Sequence, residues 1–238
     1  LEVGLGYGTA GQVLLDSGAE YWGVDIASGP VNMIKYRQAL AGQPCSGSRA
    51  SVLALPFPPN TFDCVISIGV FHHTGDVQRA IDETWRVLKP GGKAVLMLYN
   101  QYSYRQWFFW PLRTFKVWMK EYGRIQSIGT PEVTERQRKV YDASVGGKGA
   151  PETVFLSVRT VRQMMKDFRI IQITKENVSS HFHIPTRLVS KLLNRVFGIK
   201  VFKNPDQCYY LVDRKRVLST IGRWAGLDLY ITAEKIAS

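Results

Sequence analysis

The sequence predicts an α/β fold built on a doubly wound, mostly parallel sheet of seven strands. In the first hundred residues, short β-rich apolar runs alternate with stretches of helical period, as parallel strands joined by crossover helices do. A glycine-rich turn follows the first apolar run, and an acidic residue ends the second. That arrangement is typical of the edge at which such sheets bind ligands.

The elements of this half follow in a regular order. Three helices are expected at 9–17, 30–41 and 77–88, with Ser28 and Asp76 as candidate N-caps. The first apolar run is only three residues long, whereas a strand usually has about five, so we expect the chain to be truncated at its first strand. The five expected strands are 1–5, 21–25, 50–53, 62–68 and 93–99.

Strict alternation stops after residue 100. We expect a helical insertion at 101–156, after strand five, and the C-terminal part of the fold at 157–238. That part has Ser157 capping a helix at 158–168 and strands at 170–174 and 227–233, the last at the sheet edge. Before the last strand lies a second basic insertion, at about 177–223, with a helix at 186–197. Its basic residues are Arg187, Lys191, Arg195, Lys200 and Lys203.

The first insertion contains an amphipathic helix at 112–124, preceded by the run Trp107-Phe108-Phe109-Trp110. Its apolar stripe could cover a substrate as a lid, lie in a membrane interface, or pack on the domain core. We prefer the lid, because aromatic walls suit a lipophilic acceptor. The apolar stripe is Leu112, Phe115, Trp118, Met119 and Tyr122, and the basic stripe is Arg113, Lys116, Lys120 and Arg124.

Composition narrows the class of protein. The three cysteines, Cys45, Cys64 and Cys208, have neither disulfide density nor metal-ligand spacing, which favours a reducing, cytoplasmic setting and no bound metal. No apolar stretch reaches 18 residues. Residues 101–238 carry 24 Lys+Arg against 11 Asp+Glu, a basic surface that suits nucleic acid, anionic lipid or an acidic substrate, or that serves solubility alone.

The glycine-rich turn fits two patterns. The run from Gly6 to Gly11 fits G-x-G-x-x-G, with Asp25 about twenty residues on, as in a dinucleotide site. Shifted back, Glu2-x-Gly4-x-Gly6-x-Gly8 fits a methyl-donor site. Glu2 favours the second pattern, because a carboxylate buried inside the first strand needs a purpose, and a dinucleotide site offers none.

Three downstream motifs decide between the patterns. The segment Leu55-Pro56-Phe57 to Phe62-Asp63 precedes strand four, the pair His72-His73 follows it, and Leu88-Lys89-Pro90-Gly91-Gly92 precedes strand five. With the glycine turn, these motifs closely resemble the class I, Rossmann-like methyltransferases of small molecules that use S-adenosylmethionine (the methyltransferase type 11 group). The resemblance covers about the first 90 residues.

The resemblance implies site roles at matching positions. Asp25 would hold the ribose diol, because a carboxylate accepts two hydrogen bonds. Ser51 stands where the family usually has Asp beside the adenine amine, so adenine recognition is looser or depends on the Val52 backbone. Glu2 would lie beneath the turn. The remaining implied contacts are Gly4, Gly6 and Gly8 with the methionine part, Ile26 with adenine, and Ile68 and Gly69 with the methyl group.

His73 is the first candidate for a general base and His72 the second, the alternative being that both only shape the loop and touch ligand. The resemblance implies transfer of a methyl group from S-adenosylmethionine to a small, lipophilic acceptor. The alternatives are an RNA methyltransferase that uses the basic second half and a non-catalytic, membrane-associated protein with the same fold. We expect no nucleic-acid partner, allow for peripheral membrane contact, and leave the oligomeric state open.

Overall fold

The computed structural model describes residues 1–44, 46–123, 132–142, 152–177 and 222–236. Within them one seven-stranded sheet has the order β3-β2-β1-β4-β5-β7-β6. The predicted α/β fold is therefore confirmed. The predicted helix at 186–197, nearly all of the second insertion with its five named basic residues, and Arg124, Cys45 and Cys208 lie outside the described residues.

Five parallel strands form one side of the sheet, and two antiparallel pairings complete it. The parallel strands are β1 (Glu2–Val3), β2 (Gly23–Asp25), β3 (Gly47–Arg49), β4 (Phe62–Ile68) and β5 (Leu88–Tyr99). The others are β6 (Phe168–Glu176) and β7 (Asp228–Lys235). β5 begins five residues earlier than predicted, and its pairing with β4 shifts register between Phe62 and Cys64.

Two strand predictions were wrong. The third strand is Gly47–Arg49 rather than 50–53, since this short outer strand has too little buried surface to produce an apolar run. The last strand is not at the edge: β7 pairs with both β5 and β6. Its alternation misled because its second face is half-buried rather than exposed.

The helices are α1 (Thr9–Asp16), α2 (Ser28–Leu40), α3 (Val77–Val87), α4 (Tyr104–Phe109), α5 (Pro111–Tyr122), α6 (Glu135–Tyr141) and α7 (Val158–Met164). Asp76 and Ser157 cap α3 and α7 as predicted, accepting the backbone N–H of Arg79 at 2.9 Å and of Thr160 at 3.0 Å. Ser28 is not an N-cap, because α2 begins at Ser28 itself and Ala27 precedes it without a side-chain cap.

The main core lies along the central strands, where Val65, Leu96 and Leu229 are fully buried. Buried Glu83 of α3 fixes the loop before β4 by accepting the Leu55 N–H at 2.8 Å. Its partner Arg86 donates to the carbonyl groups of Leu55 and Phe57. The loop that carries the Leu-Pro-Phe motif is thus held to α3 by the Glu83–Arg86 ion pair, in which Glu83 is buried and Arg86 is partly exposed.

Candidate cofactor site

A cavity of about 930 Å³ opens at the carboxyl ends of β1, β2 and β4, the edge at which open α/β sheets bind ligands. All of the predicted cofactor residues except Gly8 line it, and so does His73. A second cavity, of about 910 Å³, lies at the amino ends of the same strands and includes Glu20, Asp63 and Lys89. The first cavity is the candidate site, because every predicted contact except Gly8 and His72 converges there.

The glycine turn is built so that a ligand can approach bare backbone. Gly4 and Gly6 have φ of +79° and +48°, in the left-handed region that favours glycine. A Cβ at Gly4 would lie 2.0 Å from Val70 Cγ2, whereas one at Gly6 would have no atom within 4 Å. Gly4 is therefore required by packing, and Gly6 leaves open space toward the cavity.

Gly8 has a different task. It precedes α1 as its N-cap residue, and its carbonyl group accepts a hydrogen bond from Arg37 at 2.8 Å. It does not line the cavity. Its predicted contact with the methionine part of the cofactor is the one glycine assignment that the geometry does not support, and the structure instead ties Gly8 to α2.

Asp25 is fixed with its carboxylate at the cavity. One oxygen accepts the backbone N–H of Leu5 and the other that of Ala27, each at 2.8 Å. A carboxylate oxygen can accept two hydrogen bonds, so each retains capacity for a further donor. The arrangement fits the two neighbouring hydroxyl groups of a ribose.

Glu2 belongs to β1, lines the cavity and is 4% exposed. Its carboxylate accepts a hydrogen bond from the Tyr21 hydroxyl at 2.5 Å, whereas backbone amides were the predicted partners. Burial raises the pKa of Glu2, and the Tyr21 bond offsets this only in part. A Cβ at Gly11 would lie 2.8 Å from the carboxylate, so Gly11 lets α1 pass over Glu2.

The residues predicted to contact the adenine and the methyl group form apolar walls of the cavity. Ile26 is 68% exposed, Ile68 is 39% exposed, and Val52 is buried behind the cavity. Ser51 uses its hydroxyl oxygen to accept the Leu53 N–H at 3.2 Å. A hydroxyl therefore stands in the cavity where a carboxylate is usual for the family, while the backbone of Val52 is adjacent.

His73 lies at the mouth of the cavity between two acceptors. Its Nδ1 is 2.8 Å from the Glu152 carbonyl oxygen and its Nε2 is 3.3 Å from Asp142 Oδ2. Since a carbonyl oxygen only accepts, Nδ1 carries a proton. Burial lowers the pKa of His73, but the contacts with Asp142 and Glu152 outweigh it and raise the pKa above its ordinary value.

Asp142 completes this ion pair from the end of α6. It also accepts a hydrogen bond from the Tyr99 hydroxyl at 2.6 Å. Burial raises the pKa of Asp142, but His73 and Tyr99 outweigh it and hold the pKa below its ordinary value. Sequence reasoning missed Asp142, Tyr99 and Glu152, because they lie far along the chain from the histidine motif and belong to no local pattern.

His72 does not reach the cavity, which corrects its assignment as a second candidate base. It is fully buried and stacks on Tyr99 with ring centroids 3.8 Å apart. Burial and the neighbouring His73 lower the pKa of His72 to about 3. A neutral, enclosed ring of this kind supports the packing under the loop and is out of reach of a substrate proton.

Two further observations concern metal ions and membrane spans. The described part of the chain contains no group of three or more His, Cys, Asp or Glu side chains that could hold a metal ion. Among the described helices, none is both long enough and apolar enough to cross a membrane. No residue of α4 or α5 lines the candidate cavity, so the predicted lid stays a prediction.

The strand order, with an antiparallel β7 inserted beside β5, is that of the class I, Rossmann-like methyltransferase fold, and a glycine turn and a strand-end acid line one cavity of it. Residues 1–96 match the family model described as "Methyltransferase domain". This match covers about two fifths of the chain, and over these residues the resemblance predicted from the motifs is confirmed.

Curated relatives match over the same half. A demethylmenaquinone methyltransferase of Thermus thermophilus is 41% identical over 81 residues, which cover 34% of this chain and 36% of that protein. The ubiquinone/menaquinone biosynthesis C-methyltransferase UbiE of a Marinomonas species is 34% identical over 85 residues, covering 29% of this chain and 34% of that protein. The match thus spans about a third of the length of these relatives.

Solved structures match over the whole chain at low identity. A SAM-dependent methyltransferase of Methanosarcina mazei superposes with a TM-score of 0.57 and 16% identity, covering 100% of this chain and 92% of that one. The YcgJ protein of Bacillus subtilis gives a TM-score of 0.55 at 16% identity, covering 100% and 91%. At this identity the likeness shows the fold alone.

Proposed function

We propose that the protein transfers a methyl group from S-adenosylmethionine to a small, lipophilic acceptor. The observation that carries the proposal is the convergence of the glycine turn and the Asp25 carboxylate on one cavity. Bare backbone at Gly6 admits the amino-acid part of the donor, and Asp25 retains two acceptor positions for the ribose. The half-exposed Ile26 and Ile68 supply apolar surface for the adenine ring and the sulfonium end.

The proposed acceptor class rests on the relatives and on the cavity mouth. The matched relatives are named for demethylmenaquinone and for ubiquinone/menaquinone biosynthesis, and both names describe lipophilic ring compounds. The wall beside the predicted methyl position is formed by Ile68, Gly69 and Val70. An apolar wall of this kind suits a flat, lipophilic ring as the first acceptor class to assay.

The donor supplies an electrophilic methyl group, and the protein's residues align the acceptor with it. We propose that His73 acts by position and not as a base, because Nδ1 donates to Glu152 and Nε2 faces the Asp142 carboxylate. A protonated ring has no lone pair with which to remove a proton. The ion pair holds the loop after β4 in place, and catalysis depends on alignment.

Calorimetric titration tests the donor. The protein is expected to bind S-adenosylmethionine and not NAD, and Asp25→Ala is expected to weaken binding roughly 10- to 100-fold, as loss of hydrogen bonds to a charged group does. Asp82→Ala is the matched control, because Asp82 lies on α3 and contacts only Gln78 among the described hydrogen bonds. Tight NAD binding without S-adenosylmethionine binding would contradict the proposal.

A further inference from the structure

Helix α5 has its amphipathic character inverted relative to the domain. A surface helix normally buries its apolar stripe and exposes its polar one. In α5 the buried residues are Thr114 and Val117, whereas Leu112 is 79% exposed and Phe115 51% exposed. The alternative that the aromatic stripe packs on the domain core is therefore wrong.

Polar contacts hold the inner side of α5. The Thr114 hydroxyl lies 2.9 Å from both the Gln106 and the Trp110 carbonyl oxygens, and these oxygens accept its hydrogen bond. Near the end of the helix, the Glu121 carboxylate accepts hydrogen bonds from the hydroxyl groups of Tyr102 and Ser157. Since these anchors fix the rotation of α5, the exposed position of its aromatic side follows from the packing of the fold.

Helix α4, directly before α5 in the chain, also exposes aromatic residues, and we call the exposed apolar residues of the two helices the α4–α5 aromatic face. Ring contacts link Phe115 with Trp118 at 6.1 Å and Trp118 with Tyr122 at 6.0 Å between centroids. Scattered exposed apolar residues are normal, but a contiguous set marks a surface that binds something. The members, each more than a third exposed, are Trp107, Phe108, Phe109, Leu112, Phe115, Trp118 and Tyr122.

Within residues 101–123, which contain both helices, cations accompany this face and acids do not. At 100° per residue, Lys116 and Lys120 flank the apolar stripe of α5 on one side, and both side chains are exposed. Glu121 is the only acid in residues 101–123, and its carboxylate is engaged on the inner side. The face therefore presents aromatic rings beside positive charge.

We propose that the α4–α5 aromatic face docks on the surface of a bilayer containing anionic phospholipid. Tryptophan, tyrosine and phenylalanine favour the membrane–water interface, and flanking lysines are attracted to anionic headgroups. Two-fold pairing of this face with a second copy fits less well, because it would bring the lysines of both copies together without an acid. The proposal stands apart from methyl transfer, since it concerns a different surface.

Vesicle flotation without methyl donor or acceptor tests the aromatic part. The protein is expected to float with phosphatidylcholine–phosphatidylglycerol vesicles, with a blue-shifted tryptophan emission. Phe115→Ser/Trp118→Ser should lower the partition coefficient by about tenfold or more, as loss of two buried apolar side chains does. Tyr36→Ser/Leu40→Ser is the control, because these apolar side chains are even more exposed and lie four residues apart on α2, and it should leave flotation unchanged.

The charge part has its own pair of variants. Lys116→Glu/Lys120→Glu should lower binding about tenfold or more in low salt and flatten its dependence on phosphatidylglycerol. Arg162→Glu/Lys166→Glu makes the same change in charge at exposed positions in and just after α7 and should have little effect. Circular dichroism of each variant confirms that it folds.

Three outcomes would overturn the proposal. The wild type does not float with anionic vesicles, or the Phe115/Trp118 variant floats as the wild type does. In the third, the wild type is a dimer by light scattering, the same variant is a monomer, and neither binds vesicles. Because none of these assays uses S-adenosylmethionine, a failure here leaves the proposed methyl transfer standing, and a failure of donor binding leaves the docking surface standing.

Discussion

The glycine turn and helix α5 are both recognisable as patterns in the sequence, yet the turn lines a cavity and the apolar side of the helix is exposed. At the turn, Gly6 and the Asp25 carboxylate point into a cavity. In α5, the side with the strongest apolar pattern points away from the domain. The turn's pattern predicts its own geometry, because positive-φ glycines and a strand-end acid meet at the edge where such sheets bind ligands, whichever cofactor is bound. An amphipathic pattern predicts that a helix has two faces and leaves open which one is buried.

The largest effect is expected from a substitution in the glycine turn. Gly4→Ala should lower the free energy of unfolding by about 3 kcal/mol, because it adds left-handed strain to a clash with Val70. It should also abolish S-adenosylmethionine binding, since relief of the clash moves the turn. Urea unfolding and calorimetric titration measure the two effects.

Gly6→Ala is the matched control, with the same backbone region but no atom within 4 Å of the added Cβ. It should cost about 1–2 kcal/mol from strain alone. Combining Gly4→Ala with Val70→Ala should recover part of the loss, because Val70 Cγ2 is the nearest atom. If the two glycine variants are equally unstable, packing against Val70 is not what requires Gly4.

The sequence predicted the parts of the fold whose causes are local. β4 was predicted with its observed bounds because seven consecutive residues are β-rich, and α3 because its apolar positions repeat with a helical period. β3 was misplaced because Gly47–Arg49 pairs with β2 through its backbone alone and has no apolar run of its own.

Long-range pairing explains the remaining misses. The position of β7 inside the sheet depends on its pairing with β5, more than a hundred residues earlier, and no local pattern records such a partner. The residues of the candidate site likewise include some that a local pattern predicts and some that only the packing of the fold brings together. Asp25 and the glycines follow one another along the chain, whereas Asp142 reaches His73 only through the packing of α6.

The second prediction concerns the packing under the loop after β4, where the ring of His72 stacks on Tyr99 at the end of β5. The folded-state pKa of His72 is lowered from 6.5 to about 3. Between pH 6.5 and about 3, the unfolded chain therefore binds a proton at His72 that the folded chain does not bind. Stability should fall as pH decreases from about 6.5, by up to about 1.4 kcal/mol per pH unit.

His72→Phe removes the proton and preserves a stacked ring. Its free energy of unfolding should depend less steeply on pH between about 6.5 and 4 than that of the wild type, whatever its absolute stability. Denaturant unfolding at a series of pH values gives both slopes. Equal slopes in the two proteins would show that His72 is hydrated or protonated in the folded state.

The third prediction concerns the contact between His73, in the loop after β4, and Asp142, at the end of α6. Asp142→Asn should lower the pKa of His73, whose folded-state value is raised, and cost about 0.5–1 kcal/mol near neutral pH for this partly exposed pair. The His73 contribution is present below its unfolded pKa and is lost as pH rises through the folded one. The Asp142 contribution is present above its unfolded pKa and is lost as pH falls through its lowered value.

Titration of the His73 ring by nuclear magnetic resonance measures this shift directly. Tyr99→Phe is the informative control, since it removes the hydroxyl that donates to Asp142 and leaves the contact with His73. It should move the His73 pKa less than Asp142→Asn does. A His73 pKa unchanged by Asp142→Asn would mean that α6 does not hold the ring, and a neutral His73 would again be available as a base.

The last prediction concerns the cofactor cavity at Ser51, where the resemblance leads us to expect an acidic residue. Ser51→Asp should strengthen S-adenosylmethionine binding by about fivefold, the difference between a charged and a neutral hydrogen bond. Ser51→Asn, neutral and of the same shape, should leave affinity nearly unchanged. If Ser51→Asp has no effect either, the Val52 backbone already recognises the adenine. The inward-facing region would then owe its specificity to backbone geometry, whereas the α4–α5 aromatic face depends on side chains alone.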